Sequence, residues 1–150
     1  MLCALTALEV SDVPQHKFYL ASSYTRKERM RQIRDELEAM GHRVTSRWLA
    51  EPHDPHVAIG GFTDLALSNM SDRDIEDIQE ADILVHFSSD NARGGAIAEF
   101  GISIGMRLEG RDMLTILVGD RRNIFDYNYL VDHFPTEAEF LEWAKEEAKK

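Results

Sequence analysis

One cysteine, Cys3, serves the whole chain. A single thiol closes no internal disulfide and builds no cysteine-based zinc site. It fits a reducing, cytoplasmic setting. Long apolar runs are missing as well: nothing approaches the ~18 residues of a membrane span. The opening residues 1–10 are mildly apolar, yet they carry Glu9 and no basic start, so they do not read as a signal peptide. Residues 1–15 read as a loose leader. Positive charge is in deficit, with 17 Lys and Arg against 27 Asp and Glu and a net charge of −10. A nucleic-acid backbone needs a basic face, so a polymer partner is excluded. A small anion is not, because helix N-termini and a few arginines act locally. Repeats and low-complexity tracts are absent.

What remains is an ordinary globular balance, 43% hydrophobic and 29% charged over 150 residues. That supports one domain over 1–150 and leaves no room for a second core. Residues 16–21 (HKFYLA) read as a short strand. Thr25 and Glu28 have capping-box spacing, and a helix follows to about Met40, with Met30, Ile33, Leu37 and Met40 on one face. Gly41 ends it. Residues 42–48 (HRVTSRW) read as a second strand. Residues 49–63 hold Pro52, Pro55, Gly60 and Gly61 and read as a loop, of a length that often carries function. Residues 64–81 read as helical with a break near Ser71, where Ser71 and Asp74 form a capping pair and Ile75 and Ile78 face inward. Residues 82–87 and 113–119 read as buried strands. Between them lie a polar loop, 88–95, and a helix, 96–108. A final short strand falls within 127–134, and Thr136 with Glu139 boxes a last helix bearing Phe140, Leu141 and Trp143.

Apolar strands without alternation, each followed by a helix, imply a parallel sheet covered on both faces. The expected fold is α/β: a flavodoxin-like (Rossmann-like) three-layer sandwich with four or five strands. Such folds bind ligands beyond the carboxyl ends of the strands. The first strand end carries Tyr19, Ser22, Ser23, Tyr24 and Arg26. Those groups suit a phosphate or a sugar hydroxyl, and equally an ordinary capped turn. The third strand ends in SSDNARGG (88–95). It lacks the G-x-G-x-x-G fingerprint and the Gly-Lys-Ser/Thr of a P-loop. Glu99 falls in the first turn or so of the next helix, where the dipole is expected to keep a carboxylate ionised, as a nucleophile requires. Simple dipole complementation accounts for it equally well. Asp74, eight residues before Asp82, either overlooks the same crevice or is one of several helix N-terminal acids with Asp72, Glu76 and Asp77.

Three segments in order, KFYLASSY, DIEDIQEADILV and G-G-x-x-x-E-F-G, resemble the nucleoside 2-deoxyribosyltransferase superfamily. That superfamily includes deoxynucleoside 5′-monophosphate N-hydrolases and cytidylate N-glycosidases. The resemblance covers 17–119, and 123–125 (NIF) also look familiar. It implies Glu99 as the nucleophile at the anomeric carbon, Asp74 as the residue assisting the nucleobase and Tyr19 as the residue orienting the nucleophile. It implies Ser23 as a 5′-phosphate contact. Some transferases place a sugar-binding acid six residues before the glutamate; here Arg93 stands there, and an arginine suits a phosphate.

Cleavage of an N-glycosidic bond passes through an oxocarbenium-like sugar, with a carboxylate on one face and help for the departing base on the other. Ser22, Ser23, Arg26, Ser88, Arg93, Gly94 and Gly95 are the expected substrate contacts. Trp48 is a candidate to stack on the base, with core packing as its other reading. His53, Phe62 and Asp64 stand on the same side without a reason to choose among them. No metal or cofactor is implied. The resemblance implies a homo-oligomer, dimer or larger, in which Asn128 and Tyr129 reach a neighbour's site. Transfer and hydrolysis stay open. So do an N-glycosidase acting on NAD or a related dinucleotide, and a catalytically silent nucleotide-binding module.

Overall fold

The computed structural model describes residues 15–52, 61–90 and 94–150. Five parallel strands form its centre: β1 (Lys17–Ala21), β2 (Arg43–Val44), β3 (Ile83–Phe87), β4 (Leu114–Val118) and β5 (Val131–Phe134), in the spatial order β2-β1-β3-β4-β5. Four helices cover it: α1 (Lys27–Ala39), α2 (Asp64–Glu80), α3 (Gly95–Leu108) and α4 (Glu137–Ala148). The helices α1 and α4 pack together, as do α2 and α3. The expected flavodoxin-like sandwich is the observed one, with five strands. The chain moves outward from β1 to β2, then returns to lay β3 on the other side of β1. Ligands bind at such a reversal, outside the strand ends.

Every residue of β3 is buried, His86 included, as a strand without alternation requires when both faces are covered. One face carries an aromatic cluster. Phe140 meets Phe18, Phe87 and Phe134 with ring centroids 6.0, 5.8 and 6.1 Å apart, all near edge-to-face. The capping box of Thr136 and Glu139 starts α4 as expected, and Gly41 takes the positive φ (101°) that stops α1. Among the described residues no helix is long and apolar enough to cross a membrane.

Three local expectations are corrected. Thr25 does not cap α1; Ser23 caps a 3-10 turn, Tyr24–Arg26, and α1 begins only at Lys27. The second strand is two residues long, because Thr45 N–H still bonds to Phe18 O but Arg47–Ala50 then coil into another 3-10 turn. Helix α2 is not broken at Ser71. It runs unbroken from the Thr63 cap, whose hydroxyl accepts from Ala66 N–H, and Asp74 lies in its middle. Ile78 is buried as expected, whereas Ile75 is partly exposed.

Phe140→Ala removes the ring that joins three elements. It is expected to cost about 3–5 kcal/mol of stability, read from urea unfolding; a loss below about 1 kcal/mol contradicts the packing.

Candidate active site

The site forms where β1 and β3 end side by side and α2 and α3 cross above them. Tyr19, in the middle of β1, pairs in register with Leu84 of β3 and is fully buried. Gly94, at φ 97°, turns the chain into α3, and Glu99 follows as the fifth helical residue. From α2 come Asp74 and, one turn later, Asp77. The Tyr19 hydroxyl faces the Glu99 carboxyl and favours its charged form. The contact is not a completed hydrogen bond: both Tyr19 Oη and Glu99 Oε2 are buried without a partner among the described residues.

Burial dominates the electrostatics. It pushes the Glu99 carboxyl up to about 8, with Asp74 and Asp77 adding to the rise and Tyr19 opposing it. The expectation that the helix dipole keeps Glu99 ionised is therefore corrected. The dipole acts within the first turn, and Glu99 sits past that turn with its carboxyl out of water. Tyr19 is itself raised well above the usual phenol range, by burial first and by the Glu99 carboxyl next. It is a proton-holding donor at neutral pH.

Asp77 is held firmly. Its carboxylate accepts from Arg47 N–H at 2.9 Å and from Arg47 Nε at 2.7 Å, and its carbonyl accepts from the Thr45 hydroxyl at 2.8 Å. This ties α2 to the exit of β2 and fixes the helix turn that carries Asp74.

The other expected contacts divide. Ser22, directly after β1, is buried, with Oγ unpartnered among the described residues. Ser23 spends its oxygen on its own turn, accepting from Thr25 N–H. Arg26 is ion-paired with Glu137 of α4, which also holds Arg29 at 2.9 Å. Ser88 donates to Asp120 O at 2.7 Å, and its Oγ would stand 2.8 Å from a Cβ placed on Gly119, so only glycine fits there. Gly94 and Gly95 open α3. Trp48 is 4% exposed, with its indole N–H donating to Leu20 O at 2.9 Å. Its core-packing reading is the one the structure takes. Phe62 is half-buried and Asp64 is an exposed residue of the first turn of α2. Arg93 and His53 lie outside the described residues. Asn128 accepts from Leu130 N–H at 2.9 Å, and Tyr129 is 84% exposed.

Sequence reasoning passed over four residues. Tyr24 stands in the sequence among the polar groups of the first strand end, with no sign of an aromatic surface; its ring stands edge-on to Trp48 at 5.5 Å and is 42% exposed, and its hydroxyl is raised by burial, Asp74 and Glu99. Ser89, two residues past β3, has its Oγ buried and unpartnered among the described residues. Arg73 and His86 carried no signal at all. The His86 ring lies 5.2 Å from that of Phe100, and burial drives it down to about 4, so it is neutral.

The arrangement defines a class: a doubly wound α/β protein with a buried carboxyl, a tyrosine and a second carboxyl at the sheet's reversal point. Two solved structures share the fold. One is a 2-deoxyribosyltransferase from Bacillus psychrosaccharolyticus, at 24% identity and TM-score 0.61 over 79% of this chain and 85% of that one. The other is the CMP N-glycosidase BcmB of Clostridium botulinum, at 17% identity and TM-score 0.52 over 85% of this chain and 96% of that one. No protein-family model and no curated protein matches the chain.

A carboxyl-carbon NMR titration of Glu99 checks the electrostatics. The midpoint is expected at about 8, moving up in Tyr19→Phe, which loses a group favouring the anion, and down in Asp74→Asn, which loses a like charge. A midpoint near 4.5 contradicts the burial.

Proposed function

We propose that this chain is an enzyme that cleaves the N-glycosidic bond of a 2′-deoxynucleoside or its 5′-monophosphate through a glycosyl–Glu99 intermediate. The observation that carries this is the buried Glu99 carboxyl set against Tyr19 and Asp74. The fold it sits in is shared with a 2-deoxyribosyltransferase and a CMP N-glycosidase.

The chemistry follows from the positions. Glu99 passes its proton to the Asp74 carboxylate, directly or through water, and then attacks C1′ of the sugar. The C1′–N bond breaks and its electron pair stays on the base. Asp74, directly or through water, gives the base its proton. Water then displaces Glu99 in hydrolysis, or a second base does so in transfer. Tyr19 orients the attacking carboxylate by its hydroxyl. The nucleophile's high resting pKa supports a division of labour. A protonated Glu99 waits in the free protein, and the cationic sugar of the transition state stabilises the anion when it is needed.

Two buried hydroxyls without partners, Ser22 Oγ and Ser89 Oγ, stand at the adjoining ends of β1 and β3, near the N-terminus of α3. They support a 5′-phosphate as the group bound there, since a helix N-terminus and hydroxyl donors favour an anion. Arg93, six residues before Glu99, is assigned to the same phosphate. Tyr24, rather than Trp48, offers the aromatic surface to the base. Ile124, Phe125, Tyr127 and Tyr129 are all exposed within six residues, at 80, 58, 66 and 84%. An apolar patch of this kind supports a second copy of the chain as partner.

A panel of nucleosides, with and without 5′-phosphate and acceptor base, tests the reading by product chromatography. Free base or exchanged nucleoside is expected, and Glu99→Gln should lower the rate by about 1000-fold or more. Nicotinamide release from NAD without base exchange supports the dinucleotide reading instead. No turnover, or turnover that survives the substitution, overturns the mechanism. For the partner, sedimentation at micromolar concentration is expected to show a dimer or larger, and Phe125→Asp to shift it to monomer; a wild-type monomer contradicts the assembly.

A further inference from the structure

Arg73 directly precedes Asp74 on α2. Its Nη1 is ion-paired with Glu51, which follows the 3-10 turn Arg47–Ala50, and the side chain is largely covered. Its Nε is buried and has no hydrogen-bond partner among the described residues. Its charge also reaches the Tyr24 hydroxyl, where it opposes the carboxyls of Asp74 and Glu99. A permanent cation with an unused N–H therefore stands next to Asp74 in the chain and within electrostatic reach of the Tyr24 hydroxyl, which the Asp74 and Glu99 carboxyls also reach. An arginine buried only for stability is expected to use its donors, because an unmade bond there costs desolvation with no return.

We propose that Arg73 binds the departing nucleobase: its Nε–H donates to an acceptor on the base, a ring nitrogen or keto oxygen, and holds the negative charge that the base acquires. This rests on the N-glycosidic reading above. The bookkeeping of the step is simple. A Glu99 oxygen bonds to C1′, the C1′–N bond breaks, and the electron pair goes to the base. The base then takes one proton, from the Asp74 carboxyl or from water, and leaves neutral. Arg73 gives up no proton, since a guanidinium stays charged at any working pH. It stabilises the base anion before the proton arrives. Glu51 keeps the planar fork in place through its other end, which a flexible lysine ammonium would not reproduce.

The test compares leaving groups. The substrates are 2′-deoxyguanosine and its N7-methylated counterpart, or 2′-deoxycytidine and its N3-methylated counterpart for a pyrimidine-specific protein, each with and without 5′-phosphate. A methylated base departs neutral and needs no anion stabilised. Arg73→Gln is expected to lose about 100-fold in kcat on the unmethylated nucleoside and less than about 3-fold on the methylated one. Arg73→Lys keeps a charge for Glu51, guards against a folding failure, and should show the same selectivity at smaller size. Equal losses on both substrates, or none, overturn the proposal while leaving the N-glycosidic reading intact. Wild-type protein that turns over no N-glycoside overturns both.

Discussion

Placing the Glu99 carboxyl out of water beside Tyr19 is the constraint on which the rest of the structure depends. Burial disfavours the anion, and it does so more than the nearby helix terminus or the tyrosine hydroxyl favours it. At neutral pH the protonated form is therefore the favoured one. Tyr19 can hold this geometry because β1 is an interior strand, paired on both sides by β2 and β3 and covered on both faces. A tyrosine on an edge strand would have neither the packing nor the burial to fix its hydroxyl.

The second carboxyl depends on a different device. Asp74 lies mid-helix, where its backbone is fixed by α2, but the helix itself must be fixed against the sheet. Arg47 does this through Asp77, with both carboxylate oxygens used, and Thr45 adds a bond to the same residue's carbonyl. The short β2 makes the clamp possible. A longer strand would carry Arg47 along the sheet edge, whereas the 3-10 turn brings its backbone N–H and its guanidinium to one carboxylate together.

The layered fold was legible because its signals are strong and local. β3 and β4 are mostly apolar runs without alternation, and Thr136 with Glu139 marks a helix start by chemistry alone. The family resemblance brought Tyr19, Asp74 and Glu99 together, and the structure sets them within reach of one another. What escaped was whatever depends on tertiary partners. Ser71 with Asp74 has the spacing of a cap, but Thr63 upstream caps first and the helix runs through. Trp48 and Tyr24 are both aromatic residues beside the strand ends. Only the fold shows that Trp48 is sealed by its bond to Leu20 O while Tyr24 lies half open. Arg26 reads as a phosphate contact until Glu137, far along the chain, is seen to hold it. The protonation of Glu99 was misjudged because helix position is visible in a sequence and desolvation is not.

The distribution of unsatisfied groups gives the last step. Tyr19 Oη, Ser22 Oγ, Ser89 Oγ, Glu99 Oε2 and Arg73 Nε are all buried polar atoms without partners among the described residues. Native proteins leave few such atoms, since each costs about 1–3 kcal/mol. These five fall on or just after β1, just after β3, and on α2 and α3, the elements that meet at the sheet's reversal point; His42 Nδ1 and Asp126 Oδ1, outside these elements, are unpartnered as well. The aromatic cluster around Phe140 on the opposite face shows that the same chain packs apolar surface tightly where no ligand is expected. Donors and acceptors left open together are the arrangement that a polar ligand would complete.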